Sequence, residues 1–304
     1  MSLLVIGTVA FDAIETPFGK TDKIVGGAAT YASLAASYFY TKTKIVAVVG
    51  DDFPTADIQI FKNRGINVEG LQIKEGEKSF FWSGKYHNDM NSRDTLITEL
   101  NVLANFDPVI PPSYQNCDYL MLGNLTPQIQ KTVINRLQKR PKLIVMDTMN
   151  FWMDIALADL LETIKLVDVL AINDAEARQL SGEYSLVKAA NKILTMGPKY
   201  LIIKKGEHGA LLFFEDKIFA APALPLADVF DPTGAGDCFA GGFIGYLAQV
   251  GTINFNNMKN AIIFGSALAS LCVEKFGTER IKNLSQAEIT ERVQQFVKLS
   301  SFSL

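Results

Sequence analysis

The chain is poor in the residues that build metal centres and covalent staples, with three cysteines and two histidines among 304 residues. Cys117, Cys238 and Cys272 are odd in number and far apart, which argues against a disulfide framework and for a reducing compartment. His87 and His208 make no histidine-based metal site with cysteines so scattered. No apolar run reaches the ~18 residues that a membrane helix requires. A net charge of -3 leaves no basic footprint for nucleic acid or an anionic membrane. The stretch from Met1 to Gly7 has no basic n-region and does not read as a signal peptide. These absences lead us to expect a soluble, cytoplasmic protein without nucleic-acid or membrane partners. The chain has no internal repeat, linker or low-complexity segment.

What is present is ordinary globular material, 48% hydrophobic and 20% charged, in a chain long enough for a full core. One stretch stands out, Asp231-Pro-Thr-Gly-Ala-Gly-Asp-Cys-Phe-Ala-Gly-Gly-Phe243. It runs into Phe239, Phe243, Tyr246, Leu247 and Val250, the spacing of one helix face. A Gly-rich turn therefore opens onto a helix N-terminus. There the backbone N–H groups of Gly234, Ala235 and Gly236 are expected to be free at the positive end of the helix dipole, an anion-binding arrangement. Asp237 in the first turn repels a phosphate, so its chemistry suits a general base beside one. A plain N-terminal Asp favoured by the dipole is the structural alternative.

The rest of the chain alternates strand and helix. Leu3–Ile6 reads as a buried parallel strand, with Asp12 soon after its C-terminal end; spacing alone makes Asp12 a surface turn residue. Gly26-Gly27 opens an Ala-rich helix. Only about a dozen residues separate Asp12 from Gly26, so lid strands there are expected to be short or absent. The segment from Ile66 to Met90 reads as a β flap, in which Phe80, Phe81 and Trp82 cover a site, contact a partner subunit, or pack on their own domain. Asn173 and Glu176 have the spacing of a capping box after a strand. Tyr200–Lys204 reads as a strand followed by a tight turn through Gly206 and Gly209. The alternation predicts a doubly wound, mostly parallel sheet flanked by helices, with a small β lid. We expect a single α/β domain over 1–304, its lid strands mainly within 66–91.

The stretch DPTGAGDCFAGGF resembles the C-terminal signature of the ribokinase, or PfkB, family of small-molecule kinases, with Pro232 where Thr is common. The resemblance runs from Leu3 to about Gly277 and implies a ribokinase-like fold and ATP-dependent phosphorylation of a hydroxyl on a small sugar or polyol. It implies Asp237 as base and Gly234, Ala235 and Gly236 as the anion hole. It implies Asp12 and the Gly26-Gly27 turn as the acceptor site, although Ala28-Ala29-Thr30 departs from the ribokinase type and puts ribose in doubt. Asn173 and Glu176 match the family's Asn-x-x-Glu motif, which implies Mg²⁺ held at Glu176 largely through water. Lys204, Gly206, Gly209 and Thr233 match its nucleotide-binding positions. Asp231 is a candidate ligand for a monovalent cation such as K⁺, and the lid a candidate homodimer clasp. Where the family often has Asp-Pro-Asn-x-Arg, the chain keeps Asp147 and Asn150 but has Phe151-Trp152. Three rivals stand beside this reading. A nucleoside kinase uses the same scaffold, with Phe80, Trp82 and Trp152 available for base stacking. A non-catalytic sugar- or nucleotide-binding homologue has no need of Asp237 and Glu176. A Rossmann oxidoreductase requires G-x-G-x-x-G after the first strand, which Gly7-Thr-Val-Ala-Phe-Asp12 lacks.

Overall fold

A computed structural model describes residues 1–301. The first strand, β1 (Leu3–Ile6), has no polar side chain and is fully buried, as a strand covered on both faces must be. The chain then leaves for a second sheet through β2 (Ala10–Thr16), β3 (Gly19–Lys20) and β4 (Ile24–Gly26), and returns along helix α1 (Ala28–Ser37). All ten residues of α1 are buried. Next come β5 (Thr43–Gly50), α2 (Thr55–Asn63) and β6 (Asn67–Lys74), then the hairpin of β7 (Phe81–Tyr86) and β8 (Arg93–Glu99). Three strand–helix steps follow, β9 (Tyr119–Leu122) with α3 (Pro127–Arg136), β10 (Leu143–Asp147) with α4 (Asn150–Ile155) and α5 (Leu157–Ile164), and β11 (Val169–Asn173) with α6 (Asp174–Ser181) and α7 (Leu186–Leu194), and then β12 (Tyr200–Lys204). Strands β13 (Ala210–Phe214) and β14 (Lys217–Ala221) precede the closing helices α8 (Ala235–Val250), α9 (Phe255–Cys272) and α10 (Gln286–Ser300).

Nine strands form the large sheet in the order β14-β13-β12-β11-β10-β9-β1-β5-β6. Pairing is parallel from β6 to β12 and antiparallel only at the β13 and β14 edge. The chain turns from β1 to β5 on one side and later resumes at β9 on the other. The crevice at the C-terminal strand ends beside β1 is therefore the topological switch point, where such sheets bind ligands. One core cluster lies under α1, α8 and α9, and a second on the opposite face of the sheet. Helix α8 packs on α1 with Gly241 against Ala32 and Gly245 against Ala36, so two helices 200 residues apart in sequence meet backbone to backbone.

The small sheet has the order β3-β2-β7-β8, with β4 added to β2. Two expectations are corrected here. In the interval from Asp12 to Gly26, β3 and β4 are short, two and three residues, as expected, but β2 is seven residues long and lies at the centre of the lid. The lid also does not lie mainly within 66–91, since β6 pairs with β5 in the large sheet and β8 runs to Glu99. The sequence of β6, Asn-Val-Glu-Gly-Leu-Gln-Ile-Lys, is polar because it is an edge strand, and polar edge strands resemble flaps.

Register assigns the lid's faces. Asp12 lies beside Trp82 on adjacent strands, and Tyr86 is opposite Arg93. Because strand side chains alternate, Asp12, Trp82, Tyr86, Arg93 and Thr95 share one face. The Trp82 Nε1–H donates to Thr95 Oγ1 at 3.3 Å along that face. Phe81 points the other way and packs against the main core.

Candidate active site

The signature begins with a buckle. Asp231 is 1% exposed, and its two carboxylate oxygens accept the N–H groups of Thr233 and Gly277, each at 2.8 Å. This ties the loop before α8 to the turn after α9. Gly234 follows at φ 76°, ψ -2°, a left-handed corner that glycine takes without strain. A Cβ there would also collide with the Tyr31 ring of α1, so geometry and space both require glycine. One expectation is revised in part. The Ala235 N–H is not free, because it donates to the Pro232 carbonyl at 3.2 Å. The N–H groups of Gly234 and Gly236 have no partner among the described residues.

Asp237 stands in the first turn of α8, and its carboxyl is pushed up to about 7. Burial is the main cause and the negative charge of Asp147 adds to it, while Lys204 and Arg93 pull the other way. An acid of that kind gives up and takes back a proton near neutrality, as a general base must.

Across the crevice, Asp12 is 4% exposed and is pushed up to about 7 by burial and by the charges of Asp231 and Asp237. Its carboxylate occupies the space where a Gly26 side chain would stand, so the Gly26-Gly27 turn holds Asp12 rather than an anion. The amides that open α1 are already used: Ala28 N–H donates to Thr8 Oγ1 and Ala29 N–H to the Thr8 carbonyl, both at 2.9 Å. Of the two glycine turns read from sequence, only the one at Gly234 leaves amides open.

The third wall comes from the ends of β10, β11 and β12. Asn173 and Glu176 form the capping box, with Asn173 Oδ1 accepting the Glu176 N–H at 2.8 Å and Glu176 Oε2 accepting the Asn173 N–H at 2.7 Å. The second Glu176 oxygen is uncommitted although the residue is 6% exposed. Its carboxyl is raised to about 7, chiefly by burial and further by Asp147, with Lys204 opposing. Lys204 Nζ donates to Asp147 at 3.1 and 3.3 Å. Burial disfavours the Lys204 charge, but Asp147, Glu176 and Asp237 outweigh it and hold the ammonium. Gly206 and Gly209 form the tight turn that follows, and Gly209 abuts the backbone of Ala221.

The structure thus brings Asp12, Asp231, Glu176, Lys204 and Asp237 into one crevice, with Gly234 and Gly236 between them. Three participants were not singled out as site residues from sequence. Asp147 pairs with Lys204 across 57 residues, and its place at a strand C-terminus and in the family's Asp-Pro-Asn-x-Arg stretch hinted at a role. Tyr86 reaches from the lid to Thr233, its hydroxyl 3.1 Å from Thr233 Oγ1. Arg93, on the exposed strand β8, acts on both Asp237 and Glu176. Trp152 is turned to the body, its indole N–H donating to Asn124 Oδ1 at 2.8 Å.

The switch-point crevice thus gathers an open helix N-terminus, a buried first-turn carboxyl, a lysine ammonium and a buried carboxylate from the lid. The model of the pfkB family of carbohydrate kinases matches residues 2–284, and the chain belongs to that family. It is 31% identical over 250 residues to a cytidine kinase of Thermococcus kodakarensis, spanning 80% of this chain and 87% of that one. Its fold superposes on the nucleoside kinase of Methanocaldococcus jannaschii with a TM-score of 0.78 at 21% identity, covering 97% and 99% of the two chains. An Escherichia coli structure of the same fold, with ATP and Mg²⁺ bound, superposes with a TM-score of 0.78 at 19% identity over 98% and 99%. The protein is therefore a kinase that phosphorylates a hydroxyl group of a small molecule. Among the described residues no helix is long and apolar enough to cross a membrane.

Proposed function

We propose that the protein transfers the γ-phosphoryl group of ATP to a hydroxyl of a nucleoside, with Asp237 as general base. The observation that carries the base is its place. A carboxyl raised to about 7 stands one residue beyond the open Gly236 amide, at the N-terminus of a 16-residue helix. The acceptor hydroxyl gives its proton to Asp237 as its oxygen bonds to phosphorus and the bond from phosphorus to the bridging oxygen of the nucleotide breaks. The Gly234 and Gly236 amides and the α8 dipole hold the negative charge on the phosphoryl oxygens. Lys204 adds a cation, and Thr233 and the Gly206–Gly209 turn flank the nucleotide.

Among the described residues no cluster of three or more acidic, histidine or cysteine side chains is arranged to hold a metal. The uncommitted Glu176 oxygen fits a magnesium ion held through water, since Mg²⁺ keeps several waters and takes few direct carboxylates. When bound, that ion supplies charge neutralisation between phosphates. A monovalent cation at Asp231 would share a carboxylate that already accepts two backbone N–H groups, and no step is assigned to it.

The nucleoside reading rests on Trp82. It is half-buried on the lid face it shares with Asp12, one strand away. A carboxylate that accepts sugar hydroxyls beside a flat aromatic ring suits a sugar carrying a base. The 31% identity to a cytidine kinase favours the same class. The second reading is a free sugar or polyol held at Asp12, Gly26 and Gly27 without use of Trp82. The outer side of the lid, where Leu96 and Ile97 are exposed, is the surface we assign to a homodimer contact.

The deciding assay is ADP release from Mg·ATP over a panel of nucleosides, pentoses, hexoses and polyols, with Asp237→Asn as control. Saturable turnover of nucleosides, lowered about 10²–10⁴-fold in the variant, is the expected result. Turnover of free sugars alone selects the second reading. An Asp237→Asn enzyme with unchanged kcat would sink the base.

A further inference from the structure

Helix α3 turns Pro127, Gln130 and Val133 into the body. Their spacing puts them on one face, where apolar side chains are expected. Gln130 is instead a long amide with 0% exposure. Its Oε1 is buried without a partner among the described residues. Burying an amide in that way costs stability that a methionine of similar length would not. A local rule broken at such a cost points to a role beyond packing.

What Gln130 gains lies at its other end. Nε2 donates to the Gly123 carbonyl and to the Asp147 carbonyl, each at 2.9 Å. Both partners only accept, so chemistry fixes which end of the amide faces them. The ladder between β9 and β10 ends at Leu122 opposite Met146. Gly123 and Asp147 are the next residues on the two chains, at the edge of the crevice. The carboxamide therefore carries the joining of β9 to β10 one residue further, to the residue whose side chain enters the site.

That residue passes the constraint on. Asp147 Oδ1 accepts the Thr148 N–H at 3.0 Å, which sets the carboxylate against its own backbone. The same carboxylate takes the Lys204 ammonium at 3.1 and 3.3 Å. A Cβ on Gly236 would stand 3.2 Å from Lys204 Nζ, so the ammonium lies against the open turn of α8. Asp147 and Lys204 end β10 and β12, with β11 between them. A pair that reaches across a whole strand tolerates little drift at either end. Gln130, Asp147, Lys204 and Gly236 thus form one path of contacts from α3 to the anion-binding turn.

We propose that Gln130 is a positioning residue for phosphoryl transfer, whose carboxamide fixes the end of β10 so that Asp147 holds the Lys204 ammonium beside Gly236. Gln130 itself touches no substrate. The proposal rests on the reading of the crevice as the phosphoryl-transfer site.

Gln130→Met keeps the length and removes both N–H donors. With Mg·ATP and the best acceptor of the panel above, its kcat is expected to fall about 10–10²-fold, the cost of a small misplacement. KM for the acceptor should hold, because Asp12 stands on the lid. Tm should move by no more than about 2–4 °C. Gln130→Glu keeps the shape and, at about pH 6 where burial leaves it protonated, one donor; there it should turn over faster than Gln130→Met. In a Lys204→Met background Gln130→Met should cost nothing further, since the contact it serves is gone. A crystal structure of Gln130→Met should show Asp147 and Lys204 drawn out of hydrogen-bond reach. Parental kcat in Gln130→Met, a loss that adds in full to that of Lys204→Met, or a crystal structure with the 3.1 Å contact unchanged each overturn the proposal. If Lys204→Met alone keeps the parental rate, the reading of the crevice has failed. The crystal structure then still decides whether Gln130 holds Lys204 in place.

Discussion

The large sheet and the lid are built to opposite rules. Every residue of β1, β9 and β10 is buried, whereas every residue of β8 is exposed. The sheet fixes its contributions, Asp147, Asn173 and Lys204, at strand ends that no small motion can shift. The lid, buried mainly along β2 and at Gly84 and Tyr86 of β7, contributes Asp12 at its base and Tyr86 and Arg93 toward its tip. The proposed base and nucleotide groups therefore stand on the deeply buried part, and the proposed acceptor carboxylate Asp12 stands on the lid.

Truncating the two parts should separate them most clearly. Leu4→Ala in β1 is expected to cost about 2–5 kcal/mol of stability, since it leaves a cavity in a fully packed layer. Leu96→Ala in β8 should cost at most about 0.5 kcal/mol, because its side chain is already 55% exposed. Urea unfolding of the two variants measures this; similar midpoints would mean that the lid is held as firmly as the sheet.

A smaller effect reads the carboxylates that bridge the parts. Asp12, Asp237 and Glu176 are each raised to about 7 in the fold, above the ~4 of an unfolded chain. The folded state therefore keeps protons that the unfolded state has lost between about pH 4 and 7. Stability of the ligand-free protein should fall as pH rises through that window and level off above it. Activity should run the other way, rising through about pH 7 as the base ionises, with apparent values belonging to the coupled group rather than to one residue. Asp237→Asn should raise the Tm of the ligand-free protein at pH 8 by about 2–5 °C and flatten the trend. A melting temperature independent of pH between 5 and 8 would show that these groups titrate normally.

The smallest effect concerns the latch. Tyr86→Phe removes the hydroxyl that meets Thr233, a contact worth about 0.5–1.5 kcal/mol. Catalytic efficiency should drop about 3–10-fold and Tm by no more than about 2–4 °C. A larger loss would mean that the latch also orders the signature loop.

The parts of this arrangement that were legible in the sequence are the local ones. Asp231–Phe243 carries its own turn, its glycine corner and its helix start within thirteen residues, so its geometry could be read directly. Asn173 and Glu176 are three apart and form the capping box their spacing predicts. The pairings that complete the site are long-range and left no mark on nearby residues: Lys204 with Asp147, Tyr86 with Thr233, Arg93 with the crevice. The lid was misplaced for a related reason. Both faces of β2 mix apolar and polar residues, Phe11, Ala13 and Glu15 on one and Asp12, Ile14 and Thr16 on the other, and its proximity to β1 made Asp12 look like the end of a turn. Its partner β7 lies about 70 residues away, beyond what periodicity can see.

The contact of Gly234 with Tyr31, and of α8 with α1, has a consequence for how the chain comes into being. The first third supplies a helix whose outer surface is small, flat and apolar, and nothing near it in sequence covers that surface. The cover is α8, some 200 residues later. During synthesis the early strands and helices can assemble while this surface stays bare, and the loop to be closed is among the longest the chain allows. The nascent protein therefore passes through a stage with most of its secondary structure and an open flank, the form most exposed to aggregation and to chaperones. The same late docking event that hides the flank also brings Asp237 to Asp12, so the proposed centre can form only after α8 has been made.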